Sequence, residues 1–306
     1  MSAAARFLKS DFLFRFRRDP LAVVSFVVFL GFVVSTVLAP ALAPFDPYDS
    51  MTIDIMDSDI PPLWQDGETD PRFLLGTDLQ GRDLLSALLF GARTSLLIGI
   101  FAVLLQAVIG VSIGLVSGYV GGRIEAFFMR LADIQLSLST LMVAIIAMAV
   151  FQAAFGTELY NEVAIYMLIA VIGIAEWPQY ARTVRASVLA ERHKEYVDAA
   201  RVIGLGRWRI MVRHVLPNTL SPILVISTVQ VANAIMSEAA LSFLGLGMPI
   251  NRPSLGSLIN IGFEFIFSGS WWVTTFPSIV LIVLILSINL LGDWLRDELN
   301  PRLYKD

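Results

Sequence analysis

A chain of 306 residues that is 56% hydrophobic and only 16% charged, with a mean hydropathy of +0.72, lies outside the range of soluble domains, which run near about 45–50% apolar and about 25% charged. The excess apolar surface calls for several membrane spans. The net charge of −4 says little as a total, and the lack of cysteine excludes disulfides, thiol catalysis and thiolate metal sites.

Residues 1–20 form a basic N-terminal segment, and the first apolar run follows at 21–39. Arg15, Arg17 and Arg18 before that run, with Ala41-Leu42-Ala43 after it, imitate a secretory signal. The run exceeds the roughly 7–15 apolar residues of a signal, and Pro44 would follow the cut, so an uncleaved first span is predicted. The outer loop 40–93 carries ten Asp/Glu and several prolines. Its tail, FLLGTDLQGRDLLSALLFGARTSL (73–96), moves into helical spacing at Leu84, Leu85, Leu88 and Leu89, with Thr77 or Asp78 as the N-cap. It reads as a surface helix feeding the second span, 94–117. Gly110, Gly114 and Gly118 recur at four-residue intervals there, a spacing that clears one face for a closely packed neighbour. Further apolar stretches run over 134–155, 163–180, 219–247 and 275–293, and 294–306 forms the tail. Each stretch approaches or exceeds the roughly 20 helical residues needed to cross hydrocarbon. No internal repeat or low-complexity segment is evident.

The Lys/Arg distribution orients the chain. With the N-terminus inside, the inner segments hold 18 of the 22 basic residues and the outer segments four. A bias of this size places both termini and the 181–217 loop in the cytoplasm.

Energy-coupling chemistry is missing. A P-loop needs Gly-Lys-Ser/Thr to cradle phosphate, and none of the three lysines, Lys9, Lys194 and Lys305, follows a glycine. An ion-coupled carrier keeps ionisable groups near the midplane. Asp133 and Glu176 lie near span ends where water reaches them, which leaves Glu238 as the carboxylate well inside an apolar stretch. With Gln230, Asn233 and Ser242 it would line a polar cavity or knit helices together by hydrogen bonds. His193 and His214 have no metal-ligand spacing, and no hydrolase, metalloenzyme or nucleic-acid-binding constellation emerges.

The most basic block, EYVDAARVIGLGRWRIMVRHVLPN (195–218), stands between apolar segments and carries four arginines. Read helically, Tyr196, Ala199, Ala200 and Ile203 share a face, Gly204 and Gly206 interrupt, and Trp208, Met211, Val212, Val215 and Leu216 resume the pattern before Pro217. Two short amphipathic helices joined at a glycine bend are expected. Two uses fit: arginines among anionic headgroups with the apolar faces in the interface, or an alanine-centred helix docked in a groove of a soluble partner.

Asp198-Ala199-Ala200, Gly204 and Leu216-Pro217 resemble in spacing the EAA loop of ABC importer permeases, with Asp198 where Glu is usual and His214 where Ile is usual. Stretches at 14–30, 74–96, 118–138, 177–204 and 237–247 are similar to the C-type permease of dipeptide and oligopeptide importers, a group that also includes nickel, glutathione and opine systems. Ser139 replaces a common proline and Leu255 a common tryptophan.

The resemblance implies an all-α, polytopic type I importer fold of six transmembrane helices in a bacterial inner membrane, with a permease core over 94–293. It implies a B-type permease partner, one or two cytoplasmic ATPase subunits that bind ATP and Mg, and an extracytoplasmic binding protein, with membrane lipids around them. This chain would itself hold no cofactor and no catalytic site. Asp198, Ala199, Ala200 and Gly204, with Arg201 and Arg207, would couple the ATPases to transport. Gln230, Asn233, Glu238 and Ser242 are the cavity candidates, and Gly76, Thr77, Asp78, Gly81, Arg82 and Asp83 match an outer motif read as structural. Peptide is the expected cargo. An ion-coupled carrier or a transport-inactive scaffold are the rival classes, separable by ion dependence and by substrate-stimulated ATP hydrolysis.

Overall fold

The computed structural model describes residues 11–49, 53–65 and 69–299. The parts of the 1–20 segment and the 294–306 tail beyond those limits, Lys9 and Lys305 included, lie outside the described residues. Among the described residues there is no β-strand, only an isolated bridge between Thr77 and Asp83. The principal helices are α1 (Asp11–Arg18), α2 (Pro20–Val37), α3 (Leu84–Val120), α4 (Gly122–Ser137), α5 (Thr140–Glu191), α6 (Glu195–Val202), α7 (Arg207–Ile210), α8 (Leu220–Phe243), α9 (Leu255–Phe263) and α10 (Trp271–Glu298), with single turns at Ala39–Leu42, Ile55–Asp57 and Ile266–Ser268. A π-helical turn over Met211–Val215 and the short turn Leu216–Asn218 join α7 to α8.

Among the described residues, five helices, α2, α3, α5, α8 and α10, are long and apolar enough to cross a membrane. The expected fourth span and all but the first six residues of the expected third (134–139, at the end of α4 and the link after it) fall within α5, whose 52 residues would extend about 78 Å unbroken at 1.5 Å per residue, well over twice a hydrocarbon core of about 30 Å. Gly156 breaks the run: its φ of 79° and ψ of 170° are not helical. This is the position where the hydropathy pattern separates 134–155 from 163–180.

The chain divides into two compact units, Met1–Leu97 with Glu238–Asp306, and Ile98–Ser237. Both boundaries fall inside long helices, α3 and α8.

In the first unit, α2 starts where Asp19 caps it: the carboxylate accepts from the backbone of Leu21 at 3.0 Å and Ala22 at 3.2 Å, and Pro20 occupies the first helical position. Helix α10 packs against both α2 and α9. The 53–83 loop is tied down from several sides. The Thr77 hydroxyl donates to the Asp57 carbonyl (2.6 Å) and accepts from Ile60 N–H (2.8 Å), while the Trp272 indole donates to the Thr77 carbonyl (3.1 Å). Buried Arg82 donates through Nε to Asp78 (2.7 Å) and through Nη1 to the Ile250 carbonyl (2.8 Å).

Thr77 and Asp78 are therefore consumed in pinning the loop, and neither is the cap of α3. Asp83 takes that place, accepting from Ser86 N–H at 2.8 Å and from its hydroxyl at 2.5 Å. The helix then runs without interruption from Leu84 through the expected second span.

In the second unit the glycine spacing has its expected use. Gly110, Gly114 and Gly118 of α3 lie against α5, where an added Cβ would stand 2.4 Å from Tyr180 Cβ, 2.5 Å from the Ala181 carbonyl and 2.8 Å from Val188 Cβ. Those distances admit no side chain without displacement of one helix. Helix α4 is joined to α5 by two ion pairs, Glu125–Arg185 and Asp133–Arg182.

Candidate functional site

The segment after α5 is built around Tyr196. Its hydroxyl donates to the Glu191 carboxylate (2.7 Å), which also takes Lys194 Nζ (2.6 Å), and Asn218 Nδ2 reaches back to the Tyr196 oxygen (3.4 Å). Burial and the adjacent Glu191 charge push the phenol up to about 12, so it stays a donor at neutral pH. The start and end of the loop are thereby tied at one point. Arg192 adds a second anchor, donating Nη1 to the Gly118 carbonyl at the end of α3 (2.8 Å).

Helix α6 ends in a Schellman motif. Leu205 N–H bonds the Ala200 carbonyl (3.1 Å), Gly204 N–H bonds the Arg201 carbonyl (2.9 Å), and Gly204 takes φ +84°. A β-carbon at Gly204 would meet nothing within 4 Å, so the position is open outward. Arg201 pairs with Asp198 (2.8 Å) and lies over the Tyr119 ring at 6.0 Å.

The glycine bend is present, but the packed faces differ from the pattern read in the sequence. Val197 and Ala200 are the buried side of α6, whereas Asp198, Ala199 and Arg201 are exposed and Val202 and Ile203 are 88% and 76% accessible. Tyr196 is drawn sideways to Glu191 and Asn218, which rotates the face that includes Ala199 and Ile203 outward. Beyond the bend, Ile210, Met211 and Val215 are buried while Trp208 and Val212 face out. The π turn over Met211–Val215 is wider than an α turn and shifts the register that an unbroken helix would keep. The result is a rigid outward surface of Asp198, Ala199, Val202, Ile203 and Gly204, beside an open groove bordered by Tyr119, Arg201, Leu205, Arg207 and Trp208.

The four cavity candidates fall into two clusters. In the second unit, Gln230 donates to Glu176 (2.9 Å) and Gln106 (3.3 Å), and Asn233 donates to Gln230 (3.0 Å). Glu176, expected within reach of water, is instead buried at 7% accessibility, where Gln230 of α8 meets its carboxylate. Asp133 is exposed as expected. In the first unit, fully buried Glu238 accepts from the Ser95 and Ser242 hydroxyls, each at 2.7 Å. Those hydroxyls in turn accept from backbone N–H groups, Leu255 to Ser95 (3.3 Å) and Met248 to Ser242 (3.0 Å).

The sequence reading gives no role to Gln106 or Ser95, and it sets Glu176 at a water-reached span end rather than in this cluster. Gln106, a polar residue in the middle of an apolar span, was the available signal. Ser95 had none, since its partner is 143 residues away. Among the described residues no group of His, Asp and Glu is arranged to hold a metal ion.

Comparison with known proteins agrees over nearly the whole chain. Residues 110–305 match the family described as binding-protein-dependent transport system inner membrane component, and residues 8–62 match the N-terminal TM domain of oligopeptide transport permease C. The dipeptide transport system permease protein DppC of Haemophilus influenzae is 36% identical over 293 residues, covering 96% of this chain and 94% of that protein. The di/tripeptide permease DppC of Pseudomonas aeruginosa is 39% identical over 271 residues, covering 89% and 84%. The oligopeptide permease OppC of Bacillus subtilis is 34% identical over 298 residues, covering 97% and 91%. An inward-facing structure of the MetNI methionine ABC transporter shares the fold, with a TM-score of 0.56 at 18% identity over 71% of this chain and 98% of that one. The chain is a multi-pass protein of the bacterial inner membrane, and it belongs to the family of binding-protein-dependent transport system inner membrane components, the permeases of ABC importers.

Proposed function

We propose that this chain is the C-type permease of a di- or oligopeptide importer, with six spans and both termini in the cytoplasm. It forms the translocation path with a homologous B-type permease, and an extracytoplasmic binding protein delivers the peptide to the outer side. One or two kinds of ATPase subunit bind ATP and Mg and carry out hydrolysis, since the sequence holds no P-loop lysine. The names of relatives that cover the chain end to end support the peptide assignment.

The observation that carries the coupling role is the shape of residues 198–204. Val197 and Ala200 fasten α6 to its own unit, the Schellman bend at Gly204 stops it abruptly, and Asp198, Ala199, Val202 and Ile203 are left facing out. Apolar side chains held on a short stiff helix outside the spans suit a cleft in a soluble subunit, with small Ala199 and Gly204 allowing close approach. Arg201, held by Asp198, and Arg207 across the groove border that surface. Closure of the ATPases around ATP would draw two such helices together, and α5 and α8, which flank the loop, would convey the motion to the path in alternating access. Gln230, Asn233, Glu238 and Ser242 would then shape the interior of the path.

The test is co-purification from native membranes, wild type against Gly204→Asp. Aspartate tolerates positive φ and meets no internal atom at this site, so the substitution alters the outward surface alone. The expected result is that wild type retrieves a second permease and P-loop ATPases while the variant loses the ATPases. A wild-type preparation without any ATPase would refute the assignment.

A further inference from the structure

The corner between α3 and α4 is built from Gly121 and Gly122, and both take positive φ, 74° and 61°. Adjacent residues in the left-handed region call for glycine, and a glycine pair makes a joint with little stiffness of its own. Gly122 adds to the slack, since a β-carbon there would meet nothing within 4 Å. The corner is nevertheless held from outside, by the end of α5. Arg192, the residue that caps α5, donates Nη1 to the Gly118 carbonyl in the last turn of α3 (2.8 Å), where a guanidinium also suits the negative end of the helix. Arg185 stands seven residues earlier and so on the same face of α5. It donates Nε to Glu125 (2.6 Å) in the first turn of α4. Gly121 lies between the two fasteners: a β-carbon there would stand 3.5 Å from Arg192 Nη1 and 3.7 Å from Glu125 Oε2.

Arg192 is also fastened to the proposed coupling helix. Only His193 and Lys194 separate it from α6, its Nε meets the His193 ring nitrogen at 3.0 Å, and its carbonyl accepts from Arg201 Nη2 at 3.4 Å. Arg201 in turn lies over Tyr119, the residue after Gly118. We infer that Arg185 and Arg192 are positioning residues for coupling: they clamp the glycine corner to the end of α5, so that α6, the end of α3 and the start of α4 move as one body. This rests on the reading of residues 198–204 as the surface that meets the ATPases. Helix α3 follows α5 in any case, because Gly110, Gly114 and Gly118 bring the two backbones together. Helix α4 begins beyond a slack joint, and without the clamp a push on α6 is spent in turning that joint. The far end of α4 is held separately, by the Asp133–Arg182 pair and by Ala132 packed with Trp177 and Ala181. Loosening the corner therefore uncouples the start of α4 without releasing the helix.

The test uses the assembled transporter with cysteine-free partners, since this chain has no cysteine of its own. Spin labels at Ile124→Cys in α4 and Glu195→Cys in α6, both exposed positions, report the distance across the clamp without nucleotide and after trapping with ATP and vanadate. We expect the same distance in both states, whereas in Arg185→Gln/Arg192→Gln trapping shifts or broadens it. In that double variant the ATPase subunits stay bound and hydrolyse ATP, but dialanine transported per ATP falls roughly tenfold, the equilibrium weight of one hydrogen bond to a charged group. Arg185→Lys/Arg192→Lys keeps the donors and the charge and should recover most of that yield. A distance that shifts on trapping with both arginines in place would overturn the clamp, and this arm needs no arginine variant to fold. So would a double glutamine variant that keeps the wild-type yield, or one that loses the ATPases, which would make the arginines part of the docking surface itself. A wild type that retains no ATPase refutes the importer assignment instead, so the two failures are distinguishable.

Discussion

Removing the Arg82 guanidinium should cost more than any other single change in the 53–83 loop. Both partners of the Arg82–Asp78 pair are essentially inaccessible, at 1% and 0% of their side chains. In Arg82→Met the Asp78 carboxylate keeps its bonds from Gln80 N–H (2.9 Å) and Arg82 N–H (3.0 Å) but loses the charge that offsets its burial. The Ile250 carbonyl also loses its donor. Breaking a buried pair by deleting one member costs about 3–5 kcal/mol, because the survivor is left charged and desolvated. At about 1.4 kcal/mol per decade that corresponds to roughly two to three and a half orders of magnitude in the opening equilibrium of the loop. Hydrogen exchange is the assay, read at Thr77, whose N–H bonds Ile60, and at Asp59, whose N–H bonds Asp78. Asp78→Leu/Arg82→Met should be less damaging than Arg82→Met alone, since no unpaired charge remains. Additive losses in the double variant, or unchanged exchange in the single one, would refute the reasoning.

Other substitutions probe separate contacts. Gly114→Val forces a branched side chain against the Ala181 carbonyl and should destabilise the α3–α5 contact by about 1–3 kcal/mol, seen as a lower unfolding temperature in detergent. Glu238→Gln should be tolerated in the same assay, whereas Glu238→Leu strands the Ser95 and Ser242 hydroxyls and should cost a further 1–3 kcal/mol, roughly, for each. Burial pushes the Asp83 carboxyl above the usual range, so the folded state holds its proton longer than the unfolded chain. Stability from this group therefore falls as pH rises from the ordinary carboxylate range through the raised value. Asp83→Asn should keep the cap and flatten that dependence, while Asp83→Ala should lose about 1 kcal/mol at any pH. A wild-type curve parallel to that of Asp83→Asn would remove burial as the cause.

The parts of the molecule legible in the sequence were those set by local repetition. Apolar run length located the spanning helices, and the four-residue spacing of Gly110, Gly114 and Gly118 announced a tight helix contact, which the structure supplies at Tyr180, Ala181 and Val188. The spacing of Asp198, Ala199, Ala200 and Gly204 pointed to the family, and the bend at Gly204 followed from its conformational freedom. Orientation of the short helices was not legible. Which side of α6 is packed depends on Tyr196 reaching both Glu191 and Asn218, and no period within eight residues encodes that. The π turn was equally hidden, because a wide turn leaves the same residues in the same order. Gln106, Glu176 and Gln230 come from three different helices, so the cluster exists only once the helices have met. Thr77 and Asp78 looked like caps because their chemistry suits caps, and the same chemistry suited longer-range bonds that left Asp83 to end the turn.

The loop anchors also impose an order in time on synthesis. Arg82 finds its acceptor 168 residues later, at Ile250, and Thr77 its indole donor 195 residues later, at Trp272. At roughly 5–20 residues per second, the ribosome needs about 10–40 s after making the loop before its last fastener exists. Throughout that interval the segment's closing contacts are unmade. A chain arrested before Trp272 therefore presents an unfastened 53–83 loop, and a protease added to such a chain should cut where a finished copy resists.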